Sequence, residues 1–143
     1  MLVRLLYASR TAPAVNADAI AAILKKSKEH NATAGITGVL CVCLNVGIFM
    51  QVLEGARDTV SATYNRIARD PRHTDVVLLS YEEIGERQFS SWSMGQVNMS
   101  RLNPALLLKY SERAVLDPYA VSGKASLALF NELVATASVG AQP

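Results

Sequence analysis

The stretch Gly47-Ile48-Phe49-Met50-Gln51-Val52-Leu53-Glu54-Gly55 reads as a sheet strand buried on both faces, with one misplaced side chain, Gln51. An uncharged amide persists in such a strand only if it finds hydrogen-bond partners. It carries two donors and an acceptor with two lone pairs, so it can bridge two polar groups that are not otherwise in contact. A side chain of a neighbouring strand or a buried water is the simplest partner. The remaining chain has to say what else Gln51 bridges.

Met1–Ala8 alternates as a first strand, with Val3, Leu5 and Tyr7 on one face and Leu2, Arg4 and Leu6 on the other. Ser9-Arg10-Thr11-Ala12-Pro13 breaks it. Asn16 or Asp18 then caps a helix that turns Ile20, Ile23, Leu24 and Ser27 to one side and ends near His30-Asn31. Gly35 opens a second strand, Ile36–Leu44, and Asn45-Val46-Gly47 is the turn into the central strand. Arg57–Arg69 has helical spacing (Val60, Tyr64, Ile67) and stops at Asp70-Pro71-Arg72-His73. Asp75–Tyr81 is predicted as a fourth, buried strand and Trp92–Val97 as a fifth. Pro104–Lys109 and Pro118 to Val134 are predicted as helices.

The order βαββαββ with right-handed crossovers predicts an α+β, ferredoxin-like sandwich with both early helices on one sheet face. The other face, carrying Leu2, Leu6, Met50 and Val52, needs a cover, and the two C-terminal helices or another copy of the chain are available. Boundaries follow: a domain over residues 1–100, a helical extension over 101–137 and a frayed tail over 138–143.

Totals narrow the function. A chain of 143 residues fits one domain, and a net charge of +2 gives no electrostatic footprint for nucleic acid. Cys41 and Cys43 stand two apart in an apolar run, as small hydrophobes rather than a disulfide framework or a metal site. No apolar run reaches the ~20 residues of a membrane-spanning helix, and the start has no signal-peptide pattern, so no membrane is expected and the cytoplasm is.

On the first and third strands Tyr7 and Gln51 share a face, so a phenol and an amide can meet beneath the helices. Asn31, at the end of the first helix, and Arg66 and Asp70, on the second, add polar groups around the same cleft. Ile23 and Ile67 project into it from the two helices. A flat aromatic ligand held between aliphatic side chains, with polar groups at its edges, suits this arrangement.

Tyr7-Ala8-Ser9, His30-Asn31-Ala32 running into Gly35-Ile36-Thr37-Gly38-Val39-Leu40, Phe49–Gly55, Asp70-Pro71-Arg72-His73 and Trp92-Ser93-Met94 together resemble the BLUF family, sensors of blue light using FAD. The resemblance covers roughly residues 1–100, and the segment after it is similar to the two-helix extension of the short, stand-alone bacterial members. It implies a photoreceptor rather than an enzyme, with no room for a cyclase or phosphodiesterase output domain, and FAD held non-covalently with its ring in the Ile23/Ile67 slot. Tyr7 matches the electron donor and Gln51 the hydrogen-bond switch. Asn31 matches the contact to the flavin carbonyl edge, and Arg66 and Asp70 match polar contacts to the ring. Ser27, His30, Arg72 and His73 match positions near the ribityl and phosphate chain, and Trp92 and Met94 a relay pair on the fifth strand.

The implied cycle begins when Tyr7 gives up an electron and a proton through Gln51; the pair recombines and leaves the Gln51 amide rotated or tautomerised. Its signal would leave as altered self-association or altered binding to a separate effector or response protein, which makes a homo-oligomer an expectation. The hairpin between Asn31 and Gln51 is slightly longer than the family pattern, which leaves its register open. Two other ferredoxin-like functions fit poorly. An acylphosphatase-like hydrolase needs a glycine-rich anion loop after the first strand, and Ser9–Pro13 has no glycine; an RNA-binding sheet needs exposed aromatics on its central strands. The alternative is a light-independent interaction domain of the same fold that holds no cofactor.

Overall fold

A computed structural model describes residues 1–13, 15–98 and 102–136. Five strands, β1 (Leu2–Thr11), β2 (Thr37–Cys43), β3 (Ile48–Ala56), β4 (His73–Ile84) and β5 (Gly95–Asn98), form one sheet in the order β4-β1-β3-β2-β5. Helices α1 (Ala17–Ala34) and α2 (Arg57–Ala68) connect the early strands. Helices α3 (Pro104–Tyr110) and α4 (Gly123–Thr136) follow them. All neighbouring strands are antiparallel except β2 and β5.

Strand alternation divides the core in two. Val3, Leu5, Tyr7, Phe49 and Leu53 pack with Ile20, Ile23 and Leu24 of α1 and Val60 of α2. Leu6, Val39, Met50 and Val52 face the other way, against Leu107 of α3 and Leu129, Phe130 and Leu133 of α4. The C-terminal helices therefore cover the second face, as the amphipathic pattern requires. Among the described residues no helix is long and apolar enough to cross a membrane. The frayed tail expected over 138–143 lies outside the described residues.

Several boundaries differ from the sequence expectation. β1 does not stop at Ala8: Arg10 pairs with Ile48 and Thr11 with His73, so strands on both sides extend it. α1 continues past Asn31 to Ala34, where Gly35 takes the left-handed conformation and its N–H closes onto the Asn31 carbonyl. Asp70 lies beyond the end of α2 and not on it. β4 is an edge strand rather than a buried one, leaving Leu78 and Tyr81 exposed. β5 begins only at Gly95, so Trp92 and Met94 lie in the segment leading to it. α4 starts at Gly123, not Pro118. The β2–β3 register is Leu40 opposite Gln51 and Val39 opposite Val52.

Candidate functional site

Tyr7 and Gln51 are direct cross-strand partners on β1 and β3. Both are buried, and the Tyr7 hydroxyl donates to Gln51 Oε1 at 2.5 Å. The other end of the amide donates from Nε2 to the Met94 sulfur at 3.2 Å. Gln51 thus bridges a phenol and a thioether. The two partners constrain it unequally: a phenol can donate or accept, whereas a thioether only accepts. Met94 therefore fixes which way the amide points, because the reversed amide would set a carbonyl oxygen against sulfur lone pairs. Burial, with Tyr64 and Asp70 nearby, raises the Tyr7 pKa and keeps the phenol protonated.

Met94 reaches Gln51 from beyond β2. A Cβ at Gly38 would lie 2.0 Å from the Val52 carbonyl oxygen and 3.4 Å from Met94 Cε, so this crossing needs a glycine. The Gly38 N–H also donates to the Trp92 carbonyl at 3.0 Å, tying the Met94 segment to β2.

A cavity of about 200 Å³ opens beside the pair, between α1 and α2. Tyr7, Gln51 and Leu40 form its floor, and Ile23 and Ile67 its apolar walls. Ser27, His30, Lys26, Arg66, Asp70, Arg72 and His73 complete the lining. His30 spans the helices, 3.4 Å from Thr63 Oγ1 and 3.3 Å from an Arg66 nitrogen, and burial followed by the Arg66 charge lowers its pKa. Asp70 accepts from Arg72, which holds its carboxyl down at about 2. Burial pushes His73 down to about 4, so it stands neutral at pH 7, its Nδ1 2.8 Å from the buried Ser9 hydroxyl.

This geometry fits a flavin. The cavity, about 200 Å³, lies below the ~300 Å³ at which small-molecule sites begin and is too small for a whole dinucleotide, so the fit rests on its lining. The lining supplies aliphatic walls and an amide at the floor. Lys26, Arg66 and Arg72 add cations that could hold phosphate, and Asp70, the acid in the described lining, is already engaged by Arg72.

The structure brings together Tyr7, Ile23, Ser27, Gln51, Arg66, Ile67 and Asp70, with His30, Arg72 and His73. Asn31 does not line the cavity: it is 2% exposed and its Nδ2 donates to the Ser93 carbonyl at 2.7 Å. Of the two relay candidates, Met94 touches Gln51, while Trp92 packs on Phe89 toward the C-terminal helices. Sequence reasoning missed Lys26, Leu40 and Ser9. It also passed over a second polar residue of the central strand: Glu54 is fully buried, and a carboxylate beside Gly55 in an apolar run was the available signal.

The model of the BLUF family, "Sensors of blue-light using FAD", matches residues 2–95. Subunit beta of the photoactivated adenylate cyclase of Euglena gracilis is 38% identical over 95 residues, 65% of this chain but 11% of that protein. The blue light- and temperature-regulated antirepressor BluF of Escherichia coli (strain K12) is 30% identical over 94 residues, 66% of this chain and 23% of its own length. The chain thus matches only a small part of either relative. Among solved structures, BlsA in its photo-activated state has a TM-score of 0.85 at 28% identity, covering 99% of this chain and 100% of that one. BlrB, described as a BLUF protein in its dark state, has a TM-score of 0.74 at 30% identity, covering 94% and 95%.

Proposed function

The chain belongs to the BLUF family of blue-light sensors using FAD, and from that premise we propose that it is a photoreceptor whose Tyr7–Gln51 pair converts light into a changed hydrogen-bond arrangement. The observation that carries the reading is the continuous chain Tyr7 Oη–Gln51–Met94 Sδ, whose first two members line the cavity. FAD is the cofactor we assign, on the family's description as sensors using FAD, and Lys26 and Arg66 in the lining, with Arg72 paired to Asp70, are cations that suit its phosphates.

Bound FAD supplies absorption of blue light and a transient electron acceptor. Tyr7 is the donor: its O–H, 2.5 Å from Gln51 Oε1, can pass a proton to the amide as an electron leaves the ring, and both return. The lasting change resides in Gln51. Reversing the amide exchanges donor for acceptor without breaking the backbone and replaces the N–H that Met94 accepts with a carbonyl oxygen; tautomerising it has the same effect at the sulfur where the one remaining imino N–H points away. Met94 then has no donor and loses its reason to stay. Its segment also holds Phe89 and Trp92, which pack near Phe130 of α4, so a shift there reaches the helices on the other face. The output we assign is altered self-association or altered binding of a separate effector, biased by a difference of a few kcal/mol between two states.

The test is the absorption spectrum of purified, FAD-reconstituted protein before and after blue light, with the released cofactor identified by chromatography. A reversible red shift supports the reading, and Tyr7→Phe retains FAD while losing the shift. Failure to bind FAD would return the chain to a cofactor-free interaction domain. A normal light response in Tyr7→Phe would remove Tyr7 from the mechanism.

A further inference from the structure

Glu54 is a carboxylate with no exposure to solvent, on the sheet face opposite Gln51, and its partners explain why it is there. Arg4, directly across on β1, supplies the compensating charge at 2.9 Å. Glu54 also accepts the main-chain N–H groups of Gln88 at 2.9 Å and Phe89 at 2.8 Å. The Thr37 hydroxyl is 3.4 Å away, and Arg87 reaches back to that hydroxyl and to the Glu54 carbonyl. These bonds clasp the start of the segment that ends in Met94. Downstream, the same segment is held at Trp92 by Gly38 and at Ser93 by Asn31, and it then delivers Met94 to Gln51.

A buried carboxylate with several donors is a rigid anchor, since any displacement of the segment costs it the Gln88 and Phe89 N–H bonds and leaves Arg4 as its charged partner. We propose that Glu54 is a positioning residue for the light switch, acting through residues 88–94 to hold Met94 against the Gln51 amide and so to favour the orientation with Nε2 on Met94, taken as the dark one. This inference rests on the photoreceptor reading. It assigns Glu54 no contact with the cofactor: the strand carries Gln51 on one face and, three residues on, the clasp of Gln51's partner on the other. Loosening the clasp weakens the preference of Met94 for the dark amide, and the return from the lit state slows.

The experiment follows dark recovery of the absorption shift in FAD-loaded protein at equal cofactor occupancy. Glu54→Gln keeps the size of the side chain and loses the charge. Gln88→Pro removes one clasped N–H and leaves Glu54 intact, so it carries the test if Glu54→Gln fails to fold. Each should slow recovery about tenfold, the equivalent of ~1.4 kcal/mol in the barrier. In a Met94→Leu background Glu54→Gln should change nothing further, a non-additivity that a merely structural residue would not produce. Wild-type recovery in both variants, faster recovery, or full additivity with Met94→Leu overturns the assignment while leaving the photoreceptor reading intact. Absence of any light-induced shift in the wild-type protein overturns both.

Discussion

Met50 and Gln51 are neighbours on β3 and stand on opposite faces of one sheet, in surroundings that differ in kind. Met50 enters a filled layer with Leu6, Val39, Val52 and Phe130. Gln51 enters a layer that leaves an open cavity and in which polar groups find partners: Tyr7, Met94, and nearby the Ser9–His73 and Asp70–Arg72 pairs. Unpartnered buried side-chain polar atoms, Trp92 Nε1, Ser126 Oγ and Asn131 Oδ1, belong instead to α4 and the segment packed near it. One face is built by volume, and the other by hydrogen-bond direction around a space. Glu54 joins them, with its side chain on the filled face and its effect directed at the open one.

The largest contrast is in volume. Phe130→Ala, in the filled layer, should cost about 3–5 kcal/mol of unfolding free energy, since it leaves a void at a fully buried position. Ile23→Ala enlarges a cavity that already exists, so its cost should fall below the ~2–5 kcal/mol usual for such a truncation, while it weakens flavin retention. Denaturant titration of both apoproteins checks this. Equal losses would break the comparison.

Next comes pH. Both histidines, His30 and His73, are on the cavity side. His73 is held at about 4 by burial, below its ordinary 6.5, so between these values the unfolded chain takes up a proton that the folded chain refuses. Its contribution is complete above about pH 6.5 and is lost as pH falls toward 4, up to ~3 kcal/mol. Asp70, held at about 2, acts in the same direction only below its ordinary 3.8. Unfolding titrations at about pH 7 and about pH 4.5 therefore leave Asp70 out, and His73→Phe should flatten most of the difference, leaving the screened shares of His30 and of the carboxyl of Glu132, which Tyr110 and Lys109 hold below its ordinary range.

The smallest effect is on the filled face. Ser126→Ala removes a hydroxyl that is buried without a partner, and should raise stability by about 1 kcal/mol in the same titration. A loss would mean that the hydroxyl has a role in packing α4.

Much of this was legible in the sequence because alternation is a strong signal. The parity of Val3, Leu5 and Tyr7 against Phe49, Gln51 and Leu53 places the phenol beside the amide, and the β1–β3 register pairs them. Position within the sheet was less legible. The run Val76–Leu79 is apolar enough for a central strand, yet β4 is at the edge, because composition records burial by packing and says little about how many neighbours a strand has. Asn31 was expected at a helix end, but α1 continues to a later glycine and the asparagine turns to the Ser93 carbonyl. Glu54 was passed over because its justification, the main-chain N–H groups of Gln88 and Phe89, lies far along the chain, where no local pattern could reveal it.

The central claim is that the Gln51 amide is the switch. Its most direct test is the light-minus-dark infrared difference spectrum of FAD-loaded protein in the flavin carbonyl region, taken for wild type and Gln51→Leu. The wild-type protein should show a downshifted carbonyl band in the light, the mark of a newly strengthened hydrogen bond. Gln51→Leu, with no N–H to offer, should bind FAD and show no such band. The same downshift in Gln51→Leu would contradict the account.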